Sequence, residues 1–251
     1  VRSLSGDHQG ASELLDRASR LPSPSWKVQR ERGRLLLRQR RPELAVAELE
    51  RAKSIAPGDG ENRLLLMEAY LLGKNRRAAA RELVELTKSF RRTSLLALAR
   101  GLEALVRERW RDAAEYLARA HQVAAESGEP PRMLGRAAYW TGRALYLDDK
   151  AKGAVIWLER AIGHDPSLAD AHYLLGQIAF ETGDQDQMVK RFQKAVSLDP
   201  AGNPPAWYFL GEHYLARGRK DLARQALQTY VERWPESDFS ADARDLLAKL
   251  R

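Results

Sequence analysis

A single spacing governs what this chain can fold into. The run Trp207-Tyr208-Phe209-Leu210-Gly211-Glu212-His213-Tyr214 is followed by Ala223, Leu227 and Pro235, and its register recurs upstream. The glycine slot reads Gly33, Met67, Gly101, Gly142, Gly176 and Gly211, with steps of 34, 34, 41, 34 and 35 residues. Twelve residues after each lies a small-residue slot, held by Ala45, Ala79, Ala113, Ala154, Met188 and Ala223. Four further on comes a large apolar slot, Leu49, Leu83, Leu117, Leu158, Phe192 and Leu227. Three beyond that stand Ala52, Leu86, Ala120, Ala161, Ala195 and Tyr230, and the closing slot is Pro57, Arg91, Ala125, Pro166, Pro200 and Pro235.

Apolar residues recurring at i, i+4 and i+7 are helical rather than strand periodicity. A glycine on a first helix lets its backbone lie close to a second helix, and small residues on the second let it approach its neighbours. Proline then stops the second helix and turns the chain. Six helix pairs follow, at 26–57, 60–91, 94–131, 135–166, 169–200 and 204–235.

The full pattern, W-x2-L-G-x2-Y…A-x3-F…P with Leu227 in the Phe slot, resembles the tetratricopeptide repeat. The match is fullest in the last three units and weakest at 60–91, where Met67 replaces Gly and no Pro closes the unit. The resemblance implies an all-α fold, a right-handed α-solenoid of antiparallel helix pairs over 1–251, with about six full repeats. In the same register Ala11, Leu15 and Ala18 suggest an N-terminal half repeat at 1–25. Phe239, Ala243, Leu246, Leu247 and Leu250 make an apolar stripe at 238–250, expected to be a capping helix opened by Ser237-Asp238. An open start and a capped end suggest the C-terminal portion of a longer bacterial repeat protein. The seven residues added in the 41-residue step equal about two helical turns, so the expectation is a longer second helix at 111–126 and a longer elbow at Glu129-Pro130-Pro131.

Chemistry is sparse. With no cysteine there is no disulfide or thiolate site, which leaves the compartment open, the cytoplasm being favoured over the periplasm. His8, His121, His164, His172 and His213 form no metal motif, and His172 fills the slot of Trp207 as packing. Asp184-Gln185-Asp186 reads as a turn and helix cap rather than a calcium loop. No phosphate-binding or nucleophile motif occurs, so no catalytic residue, metal or cofactor is expected.

In the family, first helices line a concave groove, and its slots fall here on named residues. The first unit gives Lys27, Arg30, Arg34 and Arg38, a basic stripe; the second and third give Leu64, Leu71, Leu95, Leu98 and Leu102 together with Glu61 and Glu68. The later units give Arg136, Tyr139, Arg143 and Tyr146, then Tyr173, Gln177 and Phe180, then Tyr208 and Glu212. Two coverings compete for the leucines: neighbouring helices of the superhelix, or a partner's helix or extended peptide. Arg34 and Leu65 stand where a carboxylate-clamping repeat protein has Asn, so that activity is not carried over.

The net charge of +8 is all N-terminal, since residues 1–134 hold 26 basic and 18 acidic groups and 135–251 hold 16 of each. Within 27–41 seven basic residues face Glu31 alone, a cluster that is either a solvated face or an attractor of acidic surfaces. These features imply a scaffold or adaptor that binds a partner peptide, amphipathic helix or folded protein through the groove and the basic face. A bacterial secretion, pilus, motility or envelope assembly suits such a role. The alternative is a helical-repeat nucleic-acid binder using the basic half, though no repeated base-reading set is present.

Overall fold

The computed structural model describes residues 25–39, 41–90 and 93–250, without the side chain of Arg38. Among the described residues there are thirteen helices and no strand. They are α1 (Trp26–Arg38), α2 (Pro42–Ile55), α3 (Gly60–Leu72), α4 (Arg76–Ser89), α5 (Ser94–Val106), α6 (Trp110–Glu126) and α7 (Pro131–Leu147). There follow α8 (Ala151–His164), α9 (Ala169–Glu181), α10 (Gln185–Leu198), α11 (Pro204–Ala216), α12 (Lys220–Arg233) and α13 (Ser240–Ala248). The expected half repeat at 1–25, carried by Ala11, Leu15 and Ala18, and the closing-slot Arg91 lie outside the described residues.

The fold is all-α, a helical-repeat solenoid, and contacts divide it into two compact units, one ending at Ser167 and one beginning at Leu168. In the first, α1–α8 pair in sequence, and each second helix also packs on the first helix of the next pair. The second unit stacks α9–α13 in the same way, with α13 on α12.

Each pair closes on the glycine slot. A Cβ added at Gly33, Gly101, Gly142, Gly176 or Gly211 would lie 2.4–2.7 Å from the large residue sixteen positions later, Leu49, Leu117, Leu158, Phe192 or Leu227. All five of those residues are fully buried. The second pair shows the reverse: Met67 is fully buried and Leu83 is pushed to a half-buried position. Volume gained on one helix is surrendered on the other, as close packing requires.

The turn inside each pair is also fixed. Three residues connect the helices, and the last donates its N–H five residues back, in Arg41 to Leu36, Asn75 to Tyr70, Arg109 to Ala104, Lys150 to Leu145, Asp184 to Ala179 and Arg219 to Tyr214, at 2.7–3.0 Å. This is the Schellman closure, and it needs a left-handed residue just before the donor. Lys74, Glu108, Asp149, Gly183 and Gly218 fill that place with φ of 58–79°. Three of the five are not glycine and carry strain. Glu108→Gly is therefore expected to raise stability by about 0.5–1 kcal/mol in urea unfolding, the relief of strain exceeding the added freedom of the unfolded chain. A loss of stability would show that the turn is held by the Glu108 side chain instead.

The 41-residue step differs from expectation. Second helices have 14 residues except α6 with 17, and first helices have 13 except α7 with 17. The added residues are thus shared between two antiparallel neighbours at one edge, and α7 begins at Pro131 rather than 135. The elbow is no longer than others, because a left-handed Gly128 (φ 64°) ends α6 tightly and Glu129 N–H bonds Ala124 O at 2.9 Å. Asp184 does cap α10, accepting from Gln187 N at 3.0 Å. At the C-terminus Ser237 and Asp238 precede α13 without opening it. The Ser237 hydroxyl is instead tied at 2.8 Å to the Tyr230 hydroxyl and to Trp234 O.

Candidate functional site

The first helices of the first unit carry the expected basic stripe, but the charge of Arg30 and Arg34 is spent internally. Arg30 on α1 reaches Asp59 at 2.8 Å and Glu61 at 3.1 Å, while Arg34 reaches Glu31 at 2.6 Å and Glu61 at 2.7 Å. From α7, Arg132 donates to the same Glu61 at 2.8 Å, and Arg136 pairs with Glu68. Arg132 comes from the extra turn of α7, so the insertion supplies a cation that crosses α5 to reach α3. Arg30, Arg34, Arg132 and Arg136 face Glu31, Asp59, Glu61 and Glu68, four charges against four.

Burial works against the Glu61 carboxylate, yet Arg34, Arg132 and Arg30 outweigh it and hold its pKa below the usual value. Burial pushes the Arg34 guanidinium down to about 10 against the pull of Glu61 and Glu31, so it stays charged at neutral pH. A solvated or free basic face at Arg30 and Arg34 is therefore corrected: these are structural ion pairs. Lys27 is exposed beside the Trp26 ring, at 5.7 Å, and the side chain of Arg38 lies outside the described residues.

The groove leucines divide. Leu64, Leu98 and Leu102 are buried by neighbouring helices and offer a partner no surface, while Leu71 and Leu95 are half-buried. Further along, Tyr139 is buried with its ring 5.2 Å from that of Trp140, the Arg143 guanidinium lies over the Trp140 ring at 5.1 Å, and Tyr146 is half-buried. The sequence placed Arg30, Arg34, Glu61, Glu68 and Arg136 in neighbouring slots without pairing them. It missed Asp59 and Arg132 altogether.

In the second unit, α9 and α11 present a different face. Tyr173 and Gln177 are half-buried, and Tyr208 is buried, donating to Glu212 at 2.9 Å. Burial and that bond push the Tyr208 phenol up. Phe180, one turn beyond Gly176, is 45% exposed although it rests on Phe209 with ring centroids 4.8 Å apart. Phe209 in turn contacts Phe192 and Phe239, so the exposed ring is anchored in an aromatic cluster. Burial, with Arg160 and His164 adding to it, lowers His121, whose Nε2 lies 3.3 Å from His164 Nε2. Among the described residues no group of three or more His, Cys, Asp or Glu is placed to hold a metal ion, and no helix is long and apolar enough to cross a membrane.

Known proteins share this architecture. Among solved structures the chain is similar to the APC/C hetero-tetramer Cut9-Hcn1, with TM-score 0.66 and 15% identity over 99% of this chain and 47% of that one. It spans about half the length of that chain. PilW, a widely conserved type IV pilus biogenesis factor, aligns at TM-score 0.61 and 16% identity over 87% of this chain and 98% of its own. The pilF protein of Pseudomonas aeruginosa aligns at 0.61 and 14% over 92% and 98%. At such identities the likeness is one of fold. No curated protein matches the sequence. Family models described as tetratricopeptide repeat match residues 5–60, 169–201 and 189–250, which together span more than half of the chain. Those matches agree with the glycine-slot closures and the solved relatives: the chain belongs to the tetratricopeptide repeat family.

Proposed function

We propose that this chain is a protein-interaction scaffold, without chemistry of its own, that docks a partner helix, peptide or protein surface on its first-helix faces. Phe180 carries the reading. A large aromatic held 45% exposed yet fixed against Phe209 has the form of an interface anchor, rigid in advance and rimmed by the polar Gln177. In the first unit the half-buried Leu71 and Leu95 remain available, whereas Arg30, Arg34 and Arg136 contribute by fixing the face. The fold likeness to PilW favours a pilus or other envelope assembly as the setting. The nucleic-acid alternative loses the support of Arg30 and Arg34, because the four arginines on that face are matched by four carboxylates.

Phe180→Asp is the test. Replacing a ring that rests on Phe209 should cost about 1 kcal/mol of stability, while loss of a central anchor should weaken partner binding by about 2 kcal/mol or more. Proteins photo-crosslinked through a probe at position 180 in cells should be lost from the Phe180→Asp variant in co-purification. Undiminished recovery of the same proteins would remove Phe180 from the interface.

A further inference from the structure

Part of the unpaired positive charge of the first unit lies on another surface. Two clefts of about 880 and 800 Å³ adjoin there, one between α4, α5 and α6 and the other between α6 and α8. They share Tyr116 and Arg119, so they form one trough. Arg100, Arg119 and Arg160 line it, all exposed, and none has an ion-pair partner among the described residues. By contrast Arg63, half-buried in the same unit, is matched by Glu82 at 2.9 Å. The two carboxylates beside the trough are engaged within α6, Glu115 with Arg111 and Glu126 with Gln122.

The rest of the lining mixes the polar Thr87, Thr93, His121 and Gln122 with aromatic and apolar groups. Tyr116 is 38% exposed, Val123 is half-buried, and Trp157 has the Arg160 guanidinium 4.3 Å above its ring. A guanidinium stacked on indole keeps its edge donors for an anion while the ring holds it in place. Clefts of this volume are large enough to receive side chains of a partner.

We infer that this trough is a second docking surface, which takes an acidic segment of a partner protein whose carboxylates meet Arg100, Arg119 and Arg160 and whose apolar side chains enter the clefts beside Tyr116 and Trp157. The match is one of charge and surface type. Three unpaired guanidiniums ask for separate anions, and the apolar floor between them asks for side chains that a polypeptide carries and a sugar-phosphate chain lacks. Glu115 and Glu126 also line the trough, so an anionic segment meets the arginines only where its charges are spaced away from these two carboxylates. The surface is formed by residues separate from Phe180, so it stands or falls independently of the first-helix reading.

The experiment uses the full chain and a fluorescent synthetic peptide in which glutamates alternate with leucines, followed by anisotropy at low and physiological salt. Binding should weaken with salt, and Arg119→Glu with Arg160→Glu should reduce affinity about tenfold or more while the circular dichroism spectrum and melting stay as in wild type. Phe180→Asp should bind this peptide as wild type does. Equal affinity of the double variant and wild type would overturn the proposal. So would absence of peptide binding, a single-stranded oligonucleotide that binds through the same arginines and is not displaced by the peptide, or a dimer in sedimentation that the double variant abolishes.

Discussion

Replacing Phe192 with alanine is expected to cost about 3–5 kcal/mol and to unfold the second unit at temperatures where wild type is intact. The ring is fully buried, and the partner helix cannot move a side chain into the space because the facing residue is Gly176, whose added Cβ would lie only 2.5 Å from Phe192 Cδ1. Tyr173 and Phe209, with centroids 5.6 and 5.9 Å away, would lose their shared contact, and through Phe209 the exposed Phe180 would lose its seat. Phe192→Leu should be much milder, about 1–1.5 kcal/mol, because Leu49, Leu117, Leu158 and Leu227 fill the same slot against a glycine in other pairs. Urea unfolding of both variants decides it: an alanine variant within 1 kcal/mol of wild type, an amount about equal to one buried methylene, would mean that the slot is not the keystone of its pair.

Glu61→Gln should lower the stability of the first unit by about 2–3 kcal/mol, below the cost of breaking a fully buried pair because solvent still reaches both partners. Glu61 is 20% exposed and Arg34 11%, and four arginines converge on the neighbourhood that Glu61 neutralises. The folded carboxyl binds a proton less readily than the unfolded one. Its stabilisation is therefore present at neutral pH and is lost as pH falls through the lowered folded value, beneath the usual glutamate range. Melting followed against pH should show wild type falling toward the variant on acidification, with the gap between them closing. A constant gap would mean that Glu61 acts by shape alone. Arg34→Glu should be worse than Glu61→Gln, since it sets a further carboxylate between Glu31 and Glu61.

The contrast between those two sites shows what a sequence of this kind discloses. Phe192 and Gly176 lie sixteen residues apart in one helix pair, so their contact follows from local periodicity and could be read directly. Arg34 and Glu61 stood in adjacent groove slots, and their signs were visible, but the cancellation depends on side-chain reach across two helices. Arg132 and Arg136 meet α3 from two pairs away, and that meeting rests on the length and inclination of α7, for which no short-range signal exists. The same cause hid Leu98 and Leu102: hydrophobic slots look alike whether a neighbour or a partner covers them. The unpaired Arg100, Arg119 and Arg160 were passed over because the family's slots direct attention to first helices.

The shared lengthening of α6 and α7 makes each helix depend on the other. Three residues on one helix and four on its antiparallel neighbour advance the same edge by about 4.5 and 6 Å, roughly one turn each, so the two extensions support each other. Removing either alone would leave an unsupported helical end, and removing the α7 part would also withdraw Arg132 from Glu61. The insertion thus ties two helices and one ion pair together, so shortening α6 or α7 alone is expected to cost more stability than shortening both.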